Sequence, residues 1–411
     1  MGYLKSVGTS IIWIYTALVV ITFWPGLRPY GDFKEHEYIE PKALSGNLGI
    51  NQRLDGVEKL FEGRVRGPEA FALHKGEVYA SLLTGEIVKI TKDKKLETVF
   101  KISEHDPETK TYRNGRPLGL QFDKAGFLYA ADLFFGIFKI DLTTKNAELI
   151  VDTRNSNIEG KRAVANDLAI ASNGDIYWSD SCAGFEFDGT FVPIVLLNPR
   201  GRLIRYSPET GRNEVLVRNL GVANGVALAK DESFVLVAEC QLARIVKYHL
   251  KGAKAGRHEV FAEALPGFPD NITPDGGEGF LVALPMYTDA VNWSYLTLLG
   301  RHFYVRKCLV RLIYVLRAPF EYFHMLYPAY DPAPMVQAVN GFFNGFMVGE
   351  TAAVLRLDAN GKVTDAAYDT SGRMPGLSAA HVFGNELWLG SYMAQHIGKI
   401  PLKQALPTLG R

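Results

Sequence analysis

The sequence predicts an all-β fold, a six-bladed β-propeller, with an N-terminal transmembrane helix and a helical insert in blade five. Three observations carry this. A short phrase recurs six times at a period of about 50 residues: a turn, then aromatic or β-branched residues, then a small one. Each copy is flanked by further strand-like runs, giving four strands per repeat, as in propeller blades. Val7 to Trp24 is an uncharged run of 18 residues, just long enough to cross a bilayer. A β-sandwich would not produce a period of this length.

Taken in order, residues 1–25 read as a cytoplasmic tip and signal anchor. Trp13, Tyr15, Phe23 and Trp24 are aromatic, Pro25-Gly26 ends the helix, and no small-residue cleavage site follows it, as a signal peptide would require. The free amine and Lys5 precede the run. Arg28, Asp32, Lys34, Glu35 and Glu37 follow it and nearly cancel. The positive-inside rule then predicts a single-pass type II protein of the endoplasmic reticulum or plasma membrane, its propeller lumenal or extracellular. Residues 26–54 read as a linker, and 55–411 as the propeller.

The recurring phrase is Gly76-Glu77-Val78-Tyr79-Ala80-Ser81, then Gly126-Phe127-Leu128-Tyr129-Ala130-Ala131 and Gly174-Asp175-Ile176-Tyr177-Trp178-Ser179. It continues as Ser233 to Ala238, Gly279 to Ala283 and Asn385 to Gly390. The last repeat shows only three strands, whereas Val57 to Phe61 looks like an outermost strand with no blade of its own. The N-terminal segment is therefore predicted to close the ring, removing two open edges. Blade five is interrupted by residues 286–349. Within them, 295–327 mixes apolar residues with Arg301, His302, Arg306, Lys307, Arg311 and Arg317 against Glu321 alone. Two structures fit this stretch: a helix packed on the propeller, or a basic amphipathic helix on the membrane surface that roofs the site.

Net charge is +1, so no basic excess points to nucleic acid. Three cysteines at no metal-ligand spacing leave room for one disulfide at most. Gly-x-Ser-x-Gly, His-Glu-x-x-His and Gly-x-Gly-x-x-Gly are all missing, which removes the motif basis for serine hydrolase, zincin and dinucleotide chemistry.

The first strand of each blade lines a propeller's channel. Its opening motifs place Glu69, Leu118, Asn166, Asn224, Asp270 and Ser378 at one phase, one per blade. Any single motif of this kind is more often a turn. Glu69, Asn166, Asn224 and Asp270 in register, with Asn271 beside the last, are instead a set of hard oxygen donors suited to Ca²⁺. A channel Ca²⁺ would polarise an ester or lactone carbonyl. Asp270 and Asp167 are candidates for proton transfer, and His381, three residues after Ser378, is a third, although a histidine there is more often a packing residue. Asn292-Trp293-Ser294 and Asn271-Ile272-Thr273 are glycosylation sequons; a glycan on Asn271 would contradict the metal site.

With these residues laid out, the chain resembles the strictosidine synthase-like family from about Asp55 to Lys399, and in its N-terminal anchor. The resemblance rests on Gly67-Pro68-Glu69, Gly115-Arg116-Pro117-Leu118-Gly119, Ala165-Asn166-Asp167-Leu168, Ala223-Asn224-Gly225-Val226, Val237-Ala238-Glu239, Pro266 to Ile272 and Leu387-Trp388-Leu389-Gly390-Ser391. It implies a six-bladed propeller, a type II anchor and arylesterase-type activity. The related paraoxonases imply a catalytic Ca²⁺ at positions matching Glu69, Asn166, Asn224, Asp270 and Asn271. Plant strictosidine synthases use a last-blade glutamate that Leu377 to His381 lacks, so alkaloid condensation is not expected. Leu118 stands where paraoxonases carry a histidine, and Ala70 where they carry an acidic partner; a second ion through Asp167 is therefore not expected.

The resulting expectation is a membrane-anchored, Ca²⁺-dependent hydrolase of small ester or lactone substrates, touching lipid through its first helix and, where 295–327 lies on the membrane rather than packing on the propeller, through that stretch too. A surface receptor or adhesion propeller with a purely structural Ca²⁺ is the alternative from another class. A lumenal carrier of carbohydrate or lipid is a third.

Overall fold

The second strand of every repeat is apolar on both faces, so it has to be covered on both sides, and the chain meets that demand by packing sheets face to face around a ring. The computed structural model describes residues 2–28, 33, 40–106, 111–154, 158–185, 199–288, 302–327, 329–344 and 351–409. They include six four-stranded antiparallel sheets. In chain order, β1 (Glu58–Leu60) precedes blade one, which comprises β2 (Phe71–His74), β3 (Glu77–Ser81), β4 (Glu86–Ile90) and β5 (Leu96–Lys101). A hairpin of β6 (Ser103–Asp106) and β7 (Thr111–Asn114), not foreseen from the sequence, follows. Blade two comprises β8 (Pro117–Phe122), β9 (Leu128–Asp132), β10 (Gly136–Asp141) and β11 (Asn146–Asp152). Blade three comprises β12 (Ala165–Ile170), β13 (Ile176–Asp180), β14 (Gly201–Ser207) and β15 (Arg212–Leu220). Blade four comprises β16 (Ala223–Leu228), β17 (Phe234–Glu239), β18 (Arg244–His249) and β19 (His258–Ala262). Blade five comprises β20 (Ile272–Pro274), β21 (Phe280–Leu284), β22 (Ala352–Leu357) and β23 (Val363–Asp369). Blade six has β24 (Leu377–Phe383), β25 (Glu386–Ser391) and β26 (Ile397–Pro401), and β1 pairs with β26 as its fourth strand, Glu58 opposite Lys399 and Leu60 opposite Ile397.

The closure predicted for the N-terminal segment is therefore present. Six apolar clusters confirm it independently, one at each junction between successive blades. At the last junction, Val65 and Phe71 pack with Ala379 and Ile397; at the fifth, Leu281 and Val354 pack with Leu377 and Leu389. Residues 40–54, read from the sequence as linker, are docked rather than free. Leu54 N–H donates to Tyr368 O at 3.0 Å, Asn51 Nδ2 to Ala366 O at 2.9 Å, and Arg53 pairs with Asp365 at 2.6 Å, all along β23. The three cysteines are free.

Buried acids at the ends of second strands tie the loops down. Asp180 is fully buried and accepts from Val164 N (2.7 Å), Cys182 N (3.2 Å) and Arg202 Nε (2.7 Å). Burial pushes its carboxyl up to about 6 despite the Arg202 guanidinium. Removing one partner strands the other as a buried charge. Asp180→Ala should therefore lower unfolding free energy by about 3–5 kcal/mol in denaturant titration. A cost under about 1 kcal/mol, no more than a surface pair contributes, would show that the pair does not hold this loop.

Among the described residues, three helices belong to a separate unit: Gly2–Phe23, Phe303–Leu326 and Ala333–Asn344, the latter two lying in sequence between β21 and β22. Ser6–Phe23 is long and apolar enough to cross a membrane. Arg306, Arg311 and Arg317, which the sequence left either packed on protein or on a basic membrane-facing surface, are buried. Arg301 and the Asn292 sequon lie outside the described residues.

Candidate functional site

All six inner strands carry an irregularity at the same place. The register slips between Pro117 and Gly119, Ala165 and Leu168, Ala223 and Val226, and Leu377 and Ala379. In blades one and five, Ser81 exchanges backbone bonds with both Glu69 and Ala70, and Ala283 does so with both Asp270 and Asn271, giving the same two-against-one count. Such β-bulges re-aim a side chain out of the alternating pattern. The six positions predicted to share a phase are the bulge positions, so the geometry that sets them apart lies in the backbone as well as in the side chains.

Glu69 and Asp270 are both buried, each 8 % exposed. Burial raises the Glu69 carboxyl, opposed by Arg116, whose Nη2 lies 3.6 Å from Glu69 Oε2. Burial and then the Glu69 charge push Asp270 well above the usual carboxylate range, while the Asn224 side chain hydrogen-bonds to it. Asn271 is 5 % exposed, and its Nδ2 donates to Glu69 O at 3.5 Å. Cys240 Sγ donates to Pro269 O at 2.8 Å and so fixes the turn before Asp270. Glu69, Asn224, Asp270 and Asn271, from blades one, four and five, are thus brought together. Asn166 occupies its own bulge, with Nδ2 directed to Ser181 Oγ at 3.2 Å.

Asp167 is held differently. Oδ2 accepts from Val226 N and Oδ1 from Leu168 N, both at 2.8 Å, so it staples blade three to blade four. Gly119 makes room for it: a Cβ there would lie 2.5 Å from Asp167 Oδ1. Burial raises the Asp167 carboxyl to about 7, with a smaller push from Glu69.

His381 lines the same channel, a cavity of about 400 Å³ with all six inner strands in its wall. It stands three residues along β24 from Ser378, about 10 Å at strand rise. Its ring packs edge-on against Phe71, 5.6 Å between centroids, and burial lowers it to about 4. Among the described residues it makes no hydrogen bond to the carboxylates. It is placed as a packing residue of the channel wall, away from the acidic pair.

Three groups at the ring were not singled out from the sequence as site residues: Arg116, Tyr392 and the Ser378 hydroxyl. Arg116 sits in a quoted motif, Gly115-Arg116-Pro117, but only the fold shows that it faces Glu69. Burial and the Asp270 and Glu69 charges push the Tyr392 phenol up, which places that ring near the same acids. Ser378 Oγ, Asn224 Oδ1 and Asn271 Oδ1 are buried with no hydrogen-bond partner among the described residues. Among the described residues, no three His, Cys, Asp or Glu cluster closely enough to hold an ion. The site is two carboxylates completed by amide and hydroxyl oxygens. Asn271 is too deeply buried to take a glycan.

Fold and site together define a six-bladed propeller with hard oxygen donors at its hub. The chain belongs to the strictosidine synthase-like family of adipocyte plasma membrane-associated proteins. The family models for strictosidine synthase and for the strictosidine synthase-like N-terminal region match residues 166–253 and 46–90. An adipocyte plasma membrane-associated protein of Drosophila melanogaster, hemomucin, is 35% identical over 420 residues, covering 100% of this chain and 72% of its own length. The human adipocyte plasma membrane-associated protein is 28% identical over 370 residues, covering 89% and 82%. Among solved structures, a gluconolactonase of Xanthomonas campestris aligns with TM-score 0.54 at 15% identity, covering 91% of this chain and 98% of its own. A calcium-binding regucalcin of Agrobacterium tumefaciens aligns at 0.50 and 11%, covering 83% and 92%. At these identities the structural likenesses speak to fold.

Proposed function

We propose that this protein is a membrane-anchored hydrolase of small esters or lactones that depends on Ca²⁺ at the channel mouth. One observation supports it above others. Two buried carboxylates, Glu69 raised by burial and Asp270 by burial and by the Glu69 charge, meet buried Asn224 and Asn271 oxygens that have no partner among the described residues. Desolvated oxygens of this kind are costly unless a cation satisfies them. Glu69, Asn224, Asp270 and Asn271 would hold the ion, with Asn166 from its bulge, and their all-oxygen chemistry suits Ca²⁺. When bound, Ca²⁺ supplies Lewis-acid polarisation of the substrate carbonyl.

The remaining work falls to the chain. Asp167, at about 7, takes a proton from attacking water near neutral pH, where a general base is most effective. The channel wall of Phe71, Leu120, Phe122 and Val382 excludes bulk water and accepts an apolar acyl or aryl group. That relatives are named plasma membrane-associated, and that one solved neighbour is named a gluconolactonase, agrees with this reading. The type II orientation predicted from flanking charge would put the site in Ca²⁺-rich surroundings.

Phenyl acetate and γ-lactone turnover by the full-length chain tests the proposal. Activity should appear with Ca²⁺, vanish on chelation, and be lost in Asp270→Ala and Asn224→Ala that remain folded. Asp167→Asn should keep ion affinity while slowing turnover by about 10²–10⁴-fold. Parent-like turnover in the Asp270 variant rejects the site. A second reading, a receptor or adhesion propeller with a structural ion, is favoured by one fact: His381, the histidine in the channel wall, is low and packed against Phe71. It predicts tight Ca²⁺ binding with no hydrolysis.

A further inference from the structure

Helix Phe303–Leu326 is built inside out. Its buried stripe is Arg306, Val310, Ile313 and Arg317, at spacings of four, three and four, with Arg311 alongside. Its exposed large side chains are Tyr304, Val305, Leu316, Tyr322, Phe323, Met325 and Leu326. No Lys, Arg, Asp or Glu on this helix is fully exposed. Lys307 lies over the Phe23 ring at 5.8 Å, and Glu321 accepts from Arg317 at 2.9 Å. A helix facing water shows the opposite arrangement.

The arginines are used inward. Arg311 Nη1 donates to Thr22 O at 3.0 Å and to Trp24 O at 2.8 Å, at the end of the first helix. The last carbonyls of a helix have no partner of their own, and in lipid they must find one within the protein. A guanidinium there also suits the negative end of the helix dipole. Tyr304 packs on Phe23, ring centroids 5.4 Å apart. Both contacts lie where the candidate membrane span ends, and that span is itself 6% buried. Charges turned to the helix interface, capped carbonyls and an aromatic-rich apolar outside are what the edge of a bilayer selects.

We propose that Phe303–Leu326 is a second membrane element, embedded in the bilayer interface beside the exit of the first helix, with phospholipid covering its apolar face. The attraction is hydrophobic rather than electrostatic, because the arginines are spent on protein groups.

Spin labels on the full-length chain in phosphatidylcholine vesicles test this, with Cys308→Ser as background; Cys182 and Cys240 are buried. Labels go on Tyr322→Cys and Met325→Cys. Ile14→Cys in the first helix and Val260→Cys, 44% exposed on β19, are the comparators. The ratio of oxygen to nickel-chelate collision at 322 and 325 should match Ile14 and exceed Val260 several-fold. Ratios like Val260 overturn the proposal. So does shielding from both reagents, which would mean that protein covers the face. A lipid-like ratio appearing only with phosphatidylserine at low salt also overturns it, by showing that charge holds the helix.

Discussion

Asp270→Asn is expected to move the melting temperature in opposite directions with and without Ca²⁺. Without the ion, Asp270 is a buried carboxyl held well above its ordinary value by burial and by Glu69. A group raised in the folded state contributes stability at low pH and loses it as pH rises through the folded value. At pH 8 it is therefore a liability, and an amide of the same shape removes it while still accepting from Asn224. The ion-free variant should melt higher, by about 1 °C for each kcal/mol relieved in a chain of this length. With Ca²⁺ at about a hundredfold excess over its dissociation constant, the parent gains about 2.7 kcal/mol and the variant, short of a charged ligand, gains little. Calorimetry on both proteins with chelator or Ca²⁺ decides it. Equal Ca²⁺ shifts in parent and variant would remove Asp270 from the ligand set.

The architecture was legible because propellers write one physical pattern six times. Short β-branched strands end in small residues, and a surplus strand at the start, Val57 to Phe61, matches a missing one at the end. Site phase was legible for a related reason. The bulges at Leu118, Asn166, Asn224 and Ser378 follow motifs that put a short polar or bulky residue next to Gly or Ala. What escaped depends on neighbours distant in sequence. Arg116 faces Glu69 only once blades one and two are packed. Residues 40–54 look like linker because their partners, Asp365 to Tyr368, lie more than 300 residues away. The insert shows the deeper ambiguity. A helical period identifies the stripe holding Arg306 and Arg317 but does not say whether the stripe faces in or out. That sign depends on what covers the helix, which periodicity does not report. His381 illustrates the same limit: correct channel phase placed it on the wall but gave no depth along the strand.

Gly225→Ala should be among the most damaging single-methyl changes in the propeller. A Cβ there would stand 2.3 Å from Ile272 N, 2.6 Å from Asn271 Cα and 2.6 Å from Asp270 O. All three are backbone atoms, so no side chain can swing away. Either β16 moves from β20 or the turn bearing Asp270 and Asn271 shifts. The Gly225 N–H to Asp270 O bond, 3.3 Å, goes with it. Overpacking of this kind costs about 1–3 kcal/mol or more. Asn224, Asp270 and Asn271 ride on the two segments being forced apart, so Ca²⁺ affinity should fall together with stability. Gly341→Ala is the matched control: nothing lies within 4 Å of its added methyl, and it sits inside helix Ala333–Asn344, where alanine is favoured by about 1 kcal/mol. Denaturant titration with terbium luminescence as the ion probe compares the two. A Gly225→Ala protein that unfolds and binds like the parent would mean that blades four and five meet more loosely at the hub, and that the oxygens gathered there are not held rigidly enough to form one site.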